Sequence, residues 1–550
     1  MGTGDVSNSA NRIEKQLTSP TVTLILATAT VGAFVYLSYL LKPEYRGDPL
    51  PYSLALVAEL FVIFQGLLSF WTILSGRFDP RNFEYHHAQG KLYNANVGKS
   101  AIKSLKHMDL RESRSKQMYI HHNPVSVDIF IPVYGEPVEE VRQTAVAARD
   151  VYGLHTTYIL DDGRSDDLQL MAEEIGVRYI RRPRHSNAKA GNINFALGRS
   201  SGTFFLILDA DFVAEPSILY ETIPFFEKDK LAFVQTPQYY DNQVNFVSTA
   251  ASFMQHVFYS LIQSGKNRFN AAFCVGTNVV FRRSAIMRIG GMYDKSKSED
   301  IWTSLKLHEY GYDSVYIPHV LAIGKTPETL KAYSKQQLRW ATGSFEIFIW
   351  HNPLFDRKLT IDQRLQYFAT TSYYFVGFSV FLLLLLPPLQ IYFNLSPISV
   401  TIPLWQWAIM YSGFYVIQLL LAFYTMGGLK FKTLMLANAS FPIYIKAFFN
   451  ALRRRDLAWS ATNTVSYDSP FNYVRVQVYV FLFLFLTTIV GVWKAWYVES
   501  FSISLVWNAI NTLVFGYFTY AAAREAQYLH RQRRAKPLEV GHLQKTGASI

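Results

Sequence analysis

Glu299 and Asp300 follow Ser298 at the head of a stretch, Ile301 to Tyr310, whose apolar residues recur at helical spacing. A carboxylate in the first turn of a helix is favoured as an anion by the free N–H groups and the dipole, and it sits on a rigid element. Alone, the pair would read as a helix cap. Three other clusters give it a chemical setting: Asp161-Asp162-Gly163, Asp209-Ala210-Asp211 and Gln336-Gln337-Leu338-Arg339-Trp340. A D-x-D pair suits a hard divalent cation, Mg2+ or Mn2+, which binds through one or two carboxylates together with substrate phosphates. That points to a nucleoside diphosphate substrate, with Asp209 and Asp211 on the metal and Asp161 and Asp162 as a second acidic pair. Lys189, beside Gly191 in the run KAGNIN, suits phosphate oxygens, whereas Arg181, Arg182 and Arg184 read as surface charge. Asp300 then acts as general base, taking the proton of a sugar hydroxyl as it attacks an anomeric carbon. The metal and Lys189 stabilise the departing diphosphate. One base and direct attack invert the anomeric configuration. Gln336, Arg339 and Trp340 share one helix face, where the indole would stack on a sugar and the other two would meet hydroxyls or phosphate.

The acids need strands to hold them. Val127 to Val133 is a continuous buried-strand pattern, Thr156 to Leu160 ends on Asp161, and Phe204 to Leu208 ends on Asp209. Helical patterns at Val138 to Asp150 and Asp167 to Ile175 lie between them. Alternation of this kind predicts a mostly parallel α/β sheet, in which ligands sit beyond the carboxyl ends of the strands. Each acidic motif falls at such an end.

The 550-residue chain is half apolar and only 17% charged, and several apolar runs have the length of a bilayer crossing. Candidate spans are Thr21 to Leu41, Ser53 to Leu74, Ser372 to Phe393, Ile402 to Met426, Val474 to Val498 and Ile503 to Ala523. The net charge of +12 could suggest a nucleic-acid partner, but the positive residues cluster beside apolar runs and read as cytoplasmic flanks, so no nucleic acid is expected. Lys430, Lys432, Lys446 and Arg453 to Arg455 lie in one inner loop, and Arg524, Arg531, Arg533 and Arg534 follow the last span, while 394–401 and 499–502 carry no Lys or Arg. The expected layout is a cytosolic N-terminus at 1–20, two spans at 21–75, a linker at 76–124, a catalytic domain at 125–338, interfacial helices at 339–371, four spans at 372–523 with a cytosolic segment at 427–473, and a basic tail at 524–550. Ala341 to Trp350 is too short to span and suits the membrane surface. The single cysteine, Cys274, excludes internal disulfides.

The run VDIFIPVYGE at 127–136, the D-D-G, the KAGNIN, the D-A-D, an E-D before a helix and Q-Q-L-R-W occur in one order. Together they resemble the processive family 2 glycosyltransferases: cellulose, curdlan and mixed-linkage glucan synthases, and more distantly chitin and hyaluronan synthases. The resemblance implies a GT-A-type α/β domain, a mostly parallel sheet, inserted in an α-helical multi-pass membrane bundle of the plasma (inner) membrane. It implies nucleotide contacts for Tyr134, Glu136 and Asp161, metal and diphosphate contacts for Asp209 and Asp211, the base role for Asp300 and an acceptor platform at Trp340. The segment around Cys274 is similar to the family's acceptor site, and Trp459 to Thr464 falls at its gating loop, where Thr462 fits and Thr464 replaces a Lys. Ser298 stands for a usual Thr and Gln238 for a His, and the tail is too short for a PilZ domain. The implied activity is polymerisation of glucose from UDP-glucose into a β-glucan, with a lean toward β-1,3 or mixed linkage, and passage of the growing polysaccharide through the bilayer. The rivals are a chitin- or hyaluronan-type synthase using UDP-N-acetylglucosamine, and a non-catalytic channel or scaffold that senses nucleotide.

Overall fold

The computed structural model describes residues 19–76, 78–94, 114–296, 298–399, 403–428, 430–454, 468–499 and 502–535. At its centre is a seven-stranded sheet of β1 (Val127–Val133), β2 (His155–Asp161), β3 (Arg178–Arg181), β4 (Phe204–Ile207), β5 (Leu231–Gln235), β6 (Val279–Arg282) and β7 (Asp313–Tyr316). Their spatial order is β7-β5-β6-β4-β1-β2-β3. Only β6 runs antiparallel to its neighbours β4 and β5; the other pairings are parallel. The expected alternation is therefore met: α3 (Val138–Arg149), α4 (Asp166–Ile175) and α5 (Ala188–Leu197) fall between the first four strands. Strands covered on both faces must be apolar throughout, and β1 and β4 are. The exception inside β1 is Asp128, whose carboxylate accepts from Arg283 Nη2 at 2.7 Å and from the Gly202 amide at 2.8 Å. A buried carboxylate is tolerated when so partnered.

In register, Val133 lies opposite Asp161 and Phe130 opposite Ile207. The loops leaving β1, β2 and β4 consequently open at one edge of the sheet. Two helices complete that edge. The first, α6 (Glu299–Glu309), begins directly after Ser298, and Asp300 Oδ1 accepts from the Ile301 amide at 2.8 Å. The second, α7 (Leu330–Trp350), is one unbroken helix that joins the Gln336–Trp340 cluster to the segment expected to be separate. Its N-terminus is capped by Thr329, which accepts from the Ala332 amide, and by Glu525, which accepts from the Leu330 amide at 3.1 Å.

Among the described residues five helical stretches are long and apolar enough to cross a membrane: Pro20–Leu41, Pro49–Ser75, Ile361–Phe393, Ala408–Thr425 and Arg475–Val498. The first two are α1 and α2. The third joins α8 (Ile361–Ser372) to α9 (Val376–Phe393), and the fourth is broken at Gly413 and Phe414 into α10 (Leu404–Ser412) and α11 (Tyr415–Met426). A helix α12 (Phe441–Leu452) lies against α7, with Phe345 and Phe448 packed edge to face at 5.4 Å. The sixth expected span corresponds to α14 (Ile503–Ala535), which packs on α13 (Arg475–Val498) but falls short in apolarity. Its polar residues explain the shortfall. Asn508 Nδ2 donates to Leu484 O and Thr488 Oγ1 at 2.8 and 2.9 Å, so they are used inside the bundle. Polar groups in lipid-embedded helices face partners in this way.

Candidate active site

One cleft gathers side chains from six places in the chain: Tyr134, Glu136, Asp162, Lys189, Asp209, Asp211, Glu299, Asp300, Gln336, Arg339 and Trp340 all line it. The loop after β1 folds back so that the Tyr134 amide donates to Glu136 Oε2 at 2.6 Å. This holds the Glu136 carboxyl at the cleft wall. Burial pushes that carboxyl above its usual range, only partly countered by the amide bonds.

At the end of β2 the two aspartates separate. Asp161 is fully buried and accepts from the amides of Gly163, Arg164 and Ser165 and from the Tyr179 hydroxyl. Its oxygens hold the turn and it does not line the cleft, which corrects the expectation of a direct nucleotide contact. Asp162 does line it, and pairs with Arg182. Arg182 is itself buried, not the surface charge expected from the run of arginines, and it also donates to Ser186 O and Ala188 O at 2.5 and 3.1 Å. Nothing in the sequence distinguishes it from Arg181 and Arg184; only the β2–β3 pairing turns it inward.

Beyond β4, Asp209 is engaged by Lys189, whose ammonium also donates to Gly276 O at 2.7 Å. Asp211 is pushed up to about 8, by burial first and then by Asp209, Glu140 and Glu136. A hard divalent cation fits this cluster: several carboxyls crowd a site too dry to ionise them all without a counter-charge. Burial pulls the Lys189 ammonium down, but Asp209, Glu299 and Asp300 more than offset this and its net shift is upward.

Asp300 lies across the cleft. Its carboxyl is pushed up to about 7, by burial first and then by the negative charge of Glu299, against the opposing pull of the Ile301 amide, Lys189 and Arg339. Burial also raises Glu299, with Lys189 and Arg339 drawing it back. Gly276 lies between Asp300 and Lys189: a side-chain carbon there would stand 3.5 Å from Lys189 Nζ and 3.7 Å from Asp300 Oδ2. Gly276 also has φ +85°, which a larger residue resists. On the α7 side Gln336, Arg339 and Trp340 are half-buried on one face, and Gln336 Oε1 has no hydrogen-bond partner among the described residues. A buried acceptor without a donor is costly, and a sugar hydroxyl would satisfy it.

Cys274 does not reach this space. Its thiol is buried and donates to the backbone of Asp300, Asp300 O at 3.2 Å, which corrects its assignment as an acceptor contact. The loop carrying it is tied to β5 by Gln235, whose amide donates to Thr277 O at 2.8 Å and accepts from the Val275 amide at 3.0 Å. Trp459 and Thr462, expected in a gating loop, lie outside the described residues. Glu140, Lys325, Gln238 and Tyr240 also line the cleft without having been singled out for it by sequence pattern. Lys325 and Glu140 are paired at 2.6 Å, a contact between positions too far apart in the chain to foresee.

The Glycosyl transferase family group 2 model matches residues 204–521, more than half of the chain. The UDP-forming cellulose synthase catalytic subunit of Xanthomonas axonopodis pv. citri (strain 306) is 37% identical over 261 residues, covering 46% of this chain and 36% of that protein. That of Pseudomonas fluorescens (strain SBW25) is 36% identical over 264 residues, covering 46% and 35%. The chain thus matches about a third of the length of these relatives. A mannosyltransferase structure from Pyrobaculum calidifontis, in complex with GDP-Man and Mn2+, aligns with 74% of this chain and 100% of its own at 12% identity and a TM-score of 0.46, too loose to argue from. A mostly parallel sheet with acids at its strand ends, set among apolar helices, is the architecture of a GT-A domain in a membrane bundle. With the matched segment running from β4 through Asp300 and the Gln336–Trp340 face into α14, the chain belongs to glycosyl transferase family group 2.

Proposed function

We propose that the chain is a processive, inverting glycosyltransferase that polymerises glucose from UDP-glucose into a β-glucan and passes the product through its membrane helices. One observation supports this above the others: Asp300, the Asp209–Asp211 pair, Lys189 and the Gln336–Arg339–Trp340 face share a single cleft. Asp209 and Asp211 would hold Mg2+ or Mn2+, which when bound neutralises charge on the diphosphate. Lys189 and Arg339 add positive charge on the leaving-group side. Asp300 accepts the proton of the acceptor hydroxyl while that oxygen attacks the anomeric carbon from the opposite face to the departing UDP. The half-buried Trp340 offers a flat surface for the acceptor sugar, and Gln336 Oε1 accepts from one of its hydroxyls. α7, which carries this face, packs directly on α12, so the acceptor end sits against the helical bundle. The clustering of Lys and Arg beside the apolar runs supports a cytosolic catalytic domain and cytosolic termini, and the reading takes the membrane to be the plasma (inner) membrane.

Membranes containing the chain, supplied with UDP-glucose and Mg2+ or Mn2+, are expected to release UDP and to accumulate a polymer. Digestion with β-1,3-, β-1,4- and mixed-linkage glucanases identifies the linkage. Turnover with UDP-N-acetylglucosamine alone would instead make it a chitin- or hyaluronan-type synthase. No UDP release from either donor with either metal would leave a non-catalytic scaffold.

A further inference from the structure

Away from the cleft, Glu309, His351 and Asp356 bring one ring nitrogen and two carboxylate oxygens within 4.8 Å of one another. Glu309 is the last residue of α6 and His351 caps the C-terminus of α7; Asp356 follows a short turn, Pro353–Phe355. His351 Nε2 stands 2.7 Å from Glu309 Oε1 and 3.5 Å from Asp356 Oδ2. Both acids thus converge on one ring nitrogen, which has at most one hydrogen to give. Asp356 Oδ2 is buried without a hydrogen-bond partner, and its side chain is only 10% exposed. Asp356 Oδ1 is already used by the Lys358 amide at 2.9 Å, and Glu309 Oε2 by Lys306 Nζ at 2.9 Å. One oxygen of each acid therefore remains directed at the histidine.

The geometry points to a second metal site: a divalent transition ion of the Zn2+ class held by His351 Nε2, Glu309 Oε1 and Asp356 Oδ2, with water as fourth ligand. Metal–ligand bonds of about 2.0–2.1 Å put tetrahedral donors about 3.3 Å apart, between the two distances found. A nitrogen with two carboxylates suits Zn2+ better than Mg2+, which prefers oxygen ligands and retains several waters. Such an ion would pin together the C-terminal ends of the two helices whose other parts carry Asp300 and Trp340. Its role is to hold α6 against α7; it touches no substrate.

The test uses the full-length chain with Asp209→Asn and Asp211→Asn together, which removes binding at the cleft. After loading with Zn2+ and desalting over chelating resin, this protein is expected to retain about one equivalent of metal by elemental analysis. Co2+ in place of Zn2+ is expected to give the visible absorption of a tetrahedral site. Adding Asp356→Asn, which conserves volume, or His351→Gln should reduce both signals to background. Zn2+, but not Mg2+, should raise the Tm of the chain carrying Asp209→Asn and Asp211→Asn, a readout that needs no variant at the His351 cluster. Absence of retained Zn2+ overturns the site, as does retention unchanged by both Asp356→Asn and His351→Gln; the His351–Glu309 contact alone then accounts for the cluster.

Discussion

Asp300 is the residue on which the proposed chemistry turns, and its environment makes a signed prediction. A carboxyl pushed up to about 7 is protonated, and useless as a base, below that value. Turnover should therefore rise with pH through about 7 and be lost as pH falls through it. Glu299→Gln removes the neighbouring negative charge, so the midpoint should move to lower pH in a plot of kcat against pH. An unmoved midpoint would show that another group limits the rate. Asp300→Asn should lower kcat by about 10²–10⁴ while UDP binding, followed by calorimetry, persists. That these residues would share one cleft was legible because acids at the ends of apolar strands, with Lys189 and the Gln336–Trp340 cluster, fall at one edge of an α/β sheet. Arg182 was not legible, since inward and outward arginines look alike until strand pairing fixes the side each faces. Nor was the division of labour within Asp161-Asp162, which depends on which carboxylate the turn amides capture. Arg182→Met should expose the cost of that hidden pair. With Asp162 left buried at 6% side-chain exposure and only the His185 ring, 3.6 Å away, beside it, thermal unfolding should report a loss of about 3–5 kcal/mol.

At the scale of elements, the site depends on how closely α7 approaches the start of α6. Gly343, three residues past Trp340, is the contact point: a side-chain carbon there would collide with Ser298 Oγ and Cβ, immediately before Glu299 and Asp300. Gly343→Val should therefore force the acceptor face away from the base. The expected result is a fall in kcat larger than the loss of UDP affinity, because most of the proposed donor contacts stand at the ends of β1, β2 and β4 and only Gln336 and Arg339 are on α7. An equal loss of UDP binding would show that the whole domain had been disturbed. The helix also runs across the domain boundary expected at 338/339: no proline interrupts it, and it continues unbroken to Trp350. Strand ends were easier to place, because an apolar run stopping at an acid has one reading in an α/β sheet. The break at Gly413 and Phe414 inside an otherwise continuous apolar run was not foreseen. Hydropathy sums over a window and is blind to a single residue that leaves the helical path.

For the molecule as a whole, the open question is whether α14 returns the chain across the bilayer. By apolarity alone it fails the test that five other stretches pass. Its packing argues otherwise. It lies along α13, and several of its polar groups meet neighbouring helices: besides Asn508 Nδ2, Thr512 Oγ1 is hydrogen-bonded to Thr488 Oγ1 at 2.9 Å and Ser504 Oγ to Gln390 on α9. A helix whose polar face is satisfied within the bundle presents its remaining face to lipid at little cost. If α13 crosses, α14 then crosses back, and the basic stretch at Arg531 and Arg533 reaches the side that holds the catalytic domain. The chain is well suited to a direct check, because its one cysteine, Cys274, is fully buried and introduced thiols report alone. Glu499 and Arg531 are both exposed. In intact cells a membrane-impermeant maleimide should label Glu499→Cys and leave Arg531→Cys untouched until the membrane is opened. Labelling of both from outside would mean that α14 does not cross. The catalytic cleft and the tail would then face opposite compartments, and a polymer begun at Trp340 would have one helix fewer to line its path.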